Sequence, residues 1–418
     1  MKKAYMFRIY PTKNQKVTMV RTLNTCRHLY NGALSERKRQ IELNRLRRNF
    51  QVFPWGKPDW VSYEDQANEL ATCKDSFQKE VHSQVLQNVL KRVNKSIENF
   101  FRGSGFPRFK GRNRYDSFTY PQKGFELIED KLSLSKIGNL KIILHREIEG
   151  QIKTCTIKRD VDQWYAIFTV EIEKIIENVP VVAIMGIDVG LTSLLTLRNG
   201  EKIEPPKFLR ASENKLAKEQ RRLAKKKLKS NNRKTQKLIV AKVHRKIRNQ
   251  RKDFAHKTAW NLVNRFDLIA FENLHIQNMM QNHHLAKSIA DAGWYQLQTI
   301  TASKAEEAGK QVKLCIAAGT SQTCHVCGNK QKMTLKDQVF HCNQCGNIED
   351  RDVNAANNIE NRCTVGMTGI EACKSGLSID IMKQEAPTLQ GGVVHIGALP
   401  KAPEYKDILE KLELPEES

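Results

Sequence analysis

Cys324 and Cys327, and then Cys342 and Cys345, form two C-x2-C pairs separated by 14 residues, and Gly328 and Gly346 follow the pairs directly. Each pair puts two thiols on one tight turn, and glycine supplies the left-handed backbone that such a turn requires. Four thiolates on two turns are the ligand set of a structural zinc ion. With four sulfurs bound no position remains for water, so the ion is expected to hold the fold and not to catalyse. His325 and His341 lie beside the ligands and are expected to be spectators. The other cysteines, Cys26, Cys73, Cys155, Cys315, Cys363 and Cys373, show no ligand spacing and read as core or surface residues. Ten cysteines in 418 residues are too sparse for a disulfide scaffold, and reduced thiols with a metal fit better.

Three acids form the second constellation. Asp188 ends the apolar run that begins at Val181, Glu272 ends the run that begins at Phe266, and Asp352 opens a late helix in Asp350-Arg-Asp352-Val-Asn-Ala-Ala. A lone acid at a strand end is ordinarily a cap or a satisfied polar group. The order changes that reading: an acid on the first strand of a meander, one at the end of a later strand and one at a late helix start converge in an RNase H-like sheet. Three carboxylates there can hold two Mg²⁺ about 3.5 to 4 Å apart, one activating water and the other stabilising the leaving oxygen of a phosphodiester. Magnesium suits a few carboxylates completed by water and substrate phosphate. Asp350 competes for the third place, and Asp352 is preferred because it directly precedes the x-Asn-Ala-Ala helix start. The cysteine pairs lie between the second and third acids.

Charge names the partner class. Lys and Arg number 70 against 45 Asp and Glu, a net charge of +25, which points to a polyanion. Residues 212–252 hold 17 Lys or Arg against 2 Glu, more than half of that net charge. Ile239, Val243 and Ile247 recur there every four residues, which predicts a helix with one packed face and a basic outer face. Arg221, Arg222, Lys225, Lys226, Arg245 and Arg248 are the expected phosphate contacts of the 212–252 segment. In residues 105–115 aromatic and basic side chains interleave around Pro107, so Arg108 and Lys110 can hold phosphates while Phe109 stacks on a base. No run of about 18 apolar residues offers a membrane span, and no interfacial stripe of Trp, Phe and Leu is present. A cytoplasmic protein without a membrane partner is expected.

The elements that must position these groups follow from periodicity. Residues 4–10 alternate as a strand that Pro11 closes, and Thr12 with Gln15 offers a capping box for a helix carrying Val20, Leu23, Tyr30 and Leu34. A second helix carries Leu86, Leu90, Val93, Ile97 and Phe100 and stops at Gly103-Ser104-Gly105. Residues 125–173 read as β, with strands at 154–158 and 164–171 around a hairpin near 160–163. A new unit opens at Val181 with a meander turning at Asn199-Gly200. It continues through a strand at 266–274, a helix at 294–308 and a strand at 312–316. Beyond Lys374 periodicity fades and a flexible tail is expected over 373–418.

The fold class is therefore α+β multidomain. A small β unit (1–10 and 105–178) carries a helical insertion (11–104). An RNase H-like α/β nuclease domain (181–320 and 350–372) carries an inserted four-Cys zinc ribbon (321–349).

Taken together, Tyr5-x-Phe-Arg-Ile-Tyr-Pro11, Gly105-Phe-Pro-Arg-Phe109, Gly186-Ile-Asp-Val-Gly190, Phe271-Glu-Asn-Leu274, Ile289-Ala-Asp-Ala-Gly-Trp294, the C-x2-C pairs and Asp350-Arg-Asp-x-Asn-Ala-Ala356 resemble the TnpB proteins of insertion-sequence transposons, relatives of type V CRISPR effectors. The likeness covers roughly residues 1 to 372 in order, and it implies that the β unit is wedge-like, the helical insertion a recognition insertion and the nuclease domain of RuvC type. It implies an endonuclease guided by an RNA from the transposon end, a monomer with that RNA, cutting double-stranded DNA beside a short target-adjacent motif. It implies Asp188, Glu272 and Asp352 as the RuvC carboxylates with Mg²⁺, and an N-terminal half, including Arg8, Tyr10 and Arg27, that holds RNA and reads the adjacent motif. The chain itself offers no recognisable helix-turn-helix or zinc-finger helix for a long DNA site. A cleavage-deficient RNA-guided regulator, a transposase that joins DNA ends and a miniature type V CRISPR effector are the competing readings. The first is disfavoured because all three acids are present.

Overall fold

The computed structural model describes residues 2–49, 60–173, 176–316, 318–334 and 337–364. The expected tail at 373–418 and Cys373 lie outside them. The chain divides into two compact units, with the boundary at residues 174–175.

The first unit contains β1 (Lys2–Tyr10), α1 (Lys13–Asn49), α2 (Tyr63–Thr72), α3 (Ser76–Lys79), α4 (Ser83–Phe101), β2 (Ser117–Tyr120), β3 (Phe125–Ile128), β4 (Lys131–Leu134), β5 (Gly138–Ile143), β6 (Gln151–Asp160) and β7 (Gln163–Glu171). Its strands form one sheet in the order β2-β6-β7-β1-β5-β4-β3. β1 pairs antiparallel with both β7 and β5, and its alternation buries Tyr5, Phe7 and Ile9 while Met6, Arg8 and Tyr10 face outward. The expected capping box is present: the Thr12 N–H donates to Gln15 Oε1 at 2.9 Å, and the Gln15 N–H donates to Thr12 Oγ1 at 3.4 Å. Leu23, Tyr30 and Leu34 of α1 and Leu86, Leu90, Val93 and Ile97 of α4 are buried with the strand residues in one cluster. The helices and the β strands of this unit thus share a single core.

The second unit contains β8 (Ile184–Val189), β9 (Leu195–Leu197), β10 (Lys202–Ile203), α5 (Phe208–Ala224), α6 (Asn231–Arg265), β11 (Leu268–Asn273), α7 (Ile276–Met280), α8 (His283–Ala292), α9 (Trp294–Glu307), β12 (Gln311–Ile316), β13 (Val339–His341), β14 (Ile348–Asp350) and α10 (Arg351–Thr364). The main sheet runs β10-β9-β8-β11-β12. β8, β9 and β10 form the antiparallel meander, and Gly200 at φ 85° makes its turn. β8, β11 and β12 are parallel. Parallel neighbours need crossovers; α5 and α6 follow the meander on the way to β11, and α7 to α9 join β11 to β12. α10 lies against β8 so closely that a Cβ on Gly186 would collide with the Ala356 carbonyl oxygen. Only glycine permits that approach.

The packed stripe of α6 differs from the expected one. Gln236, Val240 and Ile247 are buried, whereas Ile239 is exposed and Val243 half-buried. The reason is a polar contact across the α5–α6 hairpin: Gln236 Nε2 donates to the Glu219 carboxylate at 2.6 Å and to its carbonyl oxygen at 3.2 Å. Counting apolar residues misses a face that is registered partly by a buried amide.

Candidate metal centres

The four Sγ atoms of Cys324, Cys327, Cys342 and Cys345 lie within 4.8 Å of one another. Cys324 Sγ is 3.6 Å from Cys345 Sγ, and Cys327 Sγ is 3.5 Å from Cys342 Sγ. Tetrahedral zinc with bonds of about 2.3 Å requires sulfurs about 3.8 Å apart, so the donor set fits. Two matching knuckles build it. Cys324 N donates to Asn329 O and Cys342 N to Asn347 O, both at 2.8 Å; Gly328 N donates to Cys324 O at 2.9 Å and Gly346 N to Cys342 O at 3.0 Å. Gly328 and Gly346 adopt φ of 77° and 72°. The Cys342 thiol is pulled down to about 6, chiefly by the Cys345 N–H, whereas Cys345, despite the lowering effect of the Asn347 N–H, is pushed up to about 12 by its thiol neighbours and burial. Sulfurs this close cannot all carry charge without a cation. His325 and His341 are outside this ligand set.

The acids are positioned by the parallel strands. Ile187 of β8 is in register with Phe271 of β11, so Asp188 and Glu272, the next residue on each, stand at the same end of neighbouring strands. Burial, then the negative fields of Glu272 and Asp352, push the Asp188 carboxyl well above the usual carboxylate range, with Arg351 opposing. Glu272 is buried, and burial raises its pKa against the lowering effects of the Thr320 hydroxyl and Arg362. Asp352, in the first turn of α10, acts on both. Glu272 and Asp352 raise Asp188, and Asp352 raises Glu272, because like charges are held near one another where burial limits solvation. A divalent cation reverses that effect, and acids that repel in its absence have the chemistry of its ligands.

Asp350 is differently engaged. Its Oδ1 accepts the N–H groups of Asp352 and Val353 at 3.0 and 3.2 Å, and its Oδ2 accepts Lys202 Nζ at 2.8 Å. It caps α10. Burial alone would raise its pKa, but Lys202 and the two N–H groups outweigh burial and lower it. Two further buried acids are also committed. Asp291 accepts Arg251 Nε at 2.8 Å and the Leu209 N–H at 3.1 Å. Glu360 accepts the Gly186 N–H at 3.0 Å and pairs with Arg198.

Several residues around the acids escape motif reading. Thr320 Oγ1 donates to Glu272 Oε1. Asn358 Nδ2 donates to the carbonyls of Thr320 and Thr323 at 2.9 and 2.6 Å, and Asn354 Nδ2 donates to Thr323 O at 2.8 Å. Asn354 Oδ1 accepts the His325 N–H at 3.0 Å, and His325 Nδ1 lies 2.5 Å from Glu349 Oε1. Two asparagines one turn apart inside a helix were the available signal, since asparagine is a poor interior helix residue unless its amide is used.

The expected nucleic-acid contacts are mostly on the surface. Arg8, Tyr10, Arg108, Phe109, Arg221, Arg222, Lys225, Lys226 and Arg248 are exposed, while Arg27, Lys110 and Arg245 are half-buried. The Arg8 guanidinium lies 5.0 Å from the Tyr10 ring centroid. Lys110 is anchored by its backbone to Asn31, and its ammonium lies 5.6 Å from the Tyr30 ring centroid. In the second unit Arg222 pairs with Glu219.

Comparison with known proteins decides the family. The "Putative RNA-guided DNA endonuclease InsQ" of Escherichia coli (strain K12) is 32% identical over 376 residues, spanning 85% of this chain and 91% of the relative. The chain belongs to the TnpB family of insertion-sequence transposons. A "Putative RNA-guided DNA endonuclease" of Streptomyces pristinaespiralis is 34% identical over 366 residues, 86% of this TnpB-family chain and 88% of that one. Family models described as "Probable transposase" and "Cas12f1-like, TNB domain" match residues 167–283 and 294–359. A chain from the cryo-EM structure of the Cas12f1-sgRNA-target DNA complex superposes with a TM-score of 0.54 at 15% identity, covering 86% of this chain and 99% of that one; this is a likeness of fold. A model described as "Helix-turn-helix domain" matches residues 1–45, where this TnpB-family chain forms strand β1 and the uninterrupted helix α1. Among the described residues no helix is long and apolar enough to cross a membrane.

Proposed function

We propose that this chain is a transposon-encoded, RNA-guided DNA endonuclease that cuts double-stranded DNA beside a short target-adjacent motif. The observation that carries the reading is that Asp188 and Glu272 stand at the same end of paired parallel strands and that Asp352, in the first turn of α10, acts electrostatically on both. The mixed sheet with an acid at the ends of β8 and β11 supports an RNase H-like nuclease domain over 181–320 and 350–372. The four-sulfur cluster supports a zinc ribbon over 321–349. The wedge unit (1–10 and 105–178), the recognition helices (11–104) and a monomeric RNA complex belong to the same reading.

In this mechanism Asp188, Glu272 and Asp352 would hold two Mg²⁺, which would supply Lewis-acid activation of water and stabilisation of the leaving oxygen. The chain's own groups set the geometry. Arg351 holds Asp352 Oδ1 through Nε and Nη2 at 3.2 and 3.1 Å, and Thr320 holds Glu272 Oε1. The exposed basic residues of α5 and α6 supply phosphate affinity without sequence information. Target choice is then left to a guide RNA, with the protein reading only a short adjacent motif. The names of the Escherichia coli and Streptomyces relatives support this assignment.

The test supplies RNA-free protein with reprogrammed guides and maps cuts in a plasmid library. Cuts are expected only with RNA and at sites matching the guide. Equal cutting without RNA would remove the guided part of the reading, and joining of DNA ends would favour a transposase.

A further inference from the structure

The acids and the cysteine cluster are separate in sequence, yet one hydrogen-bonded chain connects them. It begins at Glu272, whose Oε1 accepts the Thr320 hydroxyl. It continues through the Thr320 and Thr323 carbonyls, both held by Asn358, and Thr323 O is shared with Asn354. The residue after Thr323 is the ligand Cys324, and the residue after that, His325, donates its N–H to Asn354. Asn354 and Asn358 belong to α10, the helix whose first turn carries Asp352.

We propose that Thr320, Asn354 and Asn358 are positioning residues, through which the metal-loaded first knuckle holds Glu272 and Asp352 in one arrangement. The proposal rests on the nuclease reading above. Thr320, Asn354 and Asn358 are 3%, 0% and 7% exposed. Burying an amide gains nothing over burying an apolar side chain unless its bonds are made. What these groups add is direction: two amides one turn apart bind three groups of the 320–325 segment, so α10 cannot slide or turn relative to the knuckle without breaking them. The Thr320 hydroxyl occupies one oxygen of Glu272 and orients the other, as outer-shell donors do for metal-binding carboxylates. Losing the ion at Cys324 releases the segment that carries both interactions. The zinc site then has a second consequence beyond local folding, because it sets the affinity of the acid cluster for its divalent ions.

The experiment uses the full chain bound to its RNA. Thr320→Val removes the hydroxyl at nearly constant volume, and Thr320→Ser restores it. Thr320→Val is expected to cut about 10 to 100 times more slowly, to need more Mg²⁺ for half-maximal rate and to bind Mn²⁺ more weakly by calorimetry. Its zinc content, RNA binding and target binding should be unchanged, and Thr320→Ser should recover the Mg²⁺ dependence. In wild-type protein, chelation of zinc should weaken Mn²⁺ binding in the same direction. That arm stands whether or not Thr320→Val folds. Mn²⁺ affinity unchanged by zinc removal, or an unchanged Mg²⁺ requirement in a folded Thr320→Val, overturns the coupling. Failure of the nuclease reading looks different: wild-type protein would not cut, and Asp188→Ala would leave Mn²⁺ binding intact.

Discussion

Asp350 accepts the backbone N–H of Asp352 at 3.0 Å, so two acids separated by one residue have unlike tasks. The first closes a helix end and pairs with Lys202, and the second is held by Arg351 and acts electrostatically on Asp188 and Glu272. Asp352→Ala should therefore reduce cleavage by more than about 100-fold, beyond the loss typical of outer-shell partners, with nucleic-acid binding nearly intact. Asp350→Ala should keep cleavage and lower the melting temperature, since losing an N-cap costs about 0.5–2 kcal/mol. The reverse pattern would move the third ligand by two positions. The pH dependence follows from the lowered Asp350 pKa. A carboxyl whose folded pKa is depressed adds stability above its unfolded value, about 3.9, and loses it as pH falls through the folded value. Wild type and Asp350→Ala should converge in melting temperature below about pH 4.

Asp188 behaves in the opposite sense. Its folded pKa is raised, so the stability linked to it is fully present below the unfolded pKa and is lost as pH rises through the folded one. Without divalent ions at neutral pH the wild-type protein carries that cost. Asp188→Asn should melt higher than wild type under those conditions, show a smaller rise on adding Mg²⁺ and lose cleavage. Calorimetric scans with and without Mg²⁺ check this, and a lower metal-free melting temperature for Asp188→Asn would contradict it.

Elemental analysis should find one zinc per chain, lost in Cys324→Ser and Cys342→Ser. The apparent binding free energy of structural zinc in small modules is about 10 to 16 kcal/mol, and the described part of residues 321–349 has little other internal structure: the short β13–β14 pair, a bridge between Thr323 and Lys330, and the small cluster of Cys324, Phe340 and Cys342 with Met333 packed against it. Chelation should therefore open residues 318–349 to proteolysis first. Unchanged protection after complete zinc loss would refute a structural ion.

Replacing Arg221, Arg222, Lys225 and Lys226 by Gln should weaken nucleic-acid binding uniformly across sequences. The slope of log affinity against log salt should shrink by about 0.7 to 0.9 for each phosphate that the protein no longer neutralises. Cut positions should not move, because phosphate binding carries no sequence information. A shift in cut position would show that the α5–α6 hairpin reads the target.

Features governed by neighbours in the chain were legible from residue order. The C-x2-C-Gly knuckles, the Thr12–Gln15 capping box, the Asn199-Gly200 turn and the alternation of β1 each depend on interactions within a few residues. The mixture of helices and strands was legible too, because strand and helix periods differ. The α6 face was not: Ile239 and Val243 fit the apolar repeat, but Gln236 is buried because its amide meets Glu219, 17 residues earlier. Motif position favoured Asp352 over Asp350, but that Asp350 pairs with Lys202 could not be read, because it depends on β10 arriving beside it. Thr320 meets Glu272 across 48 residues and Gly186 meets Glu360 across 174. Such pairings are decided only when the sheet and α10 close on each other, because a buried polar atom takes whichever partner the packed backbone brings within reach.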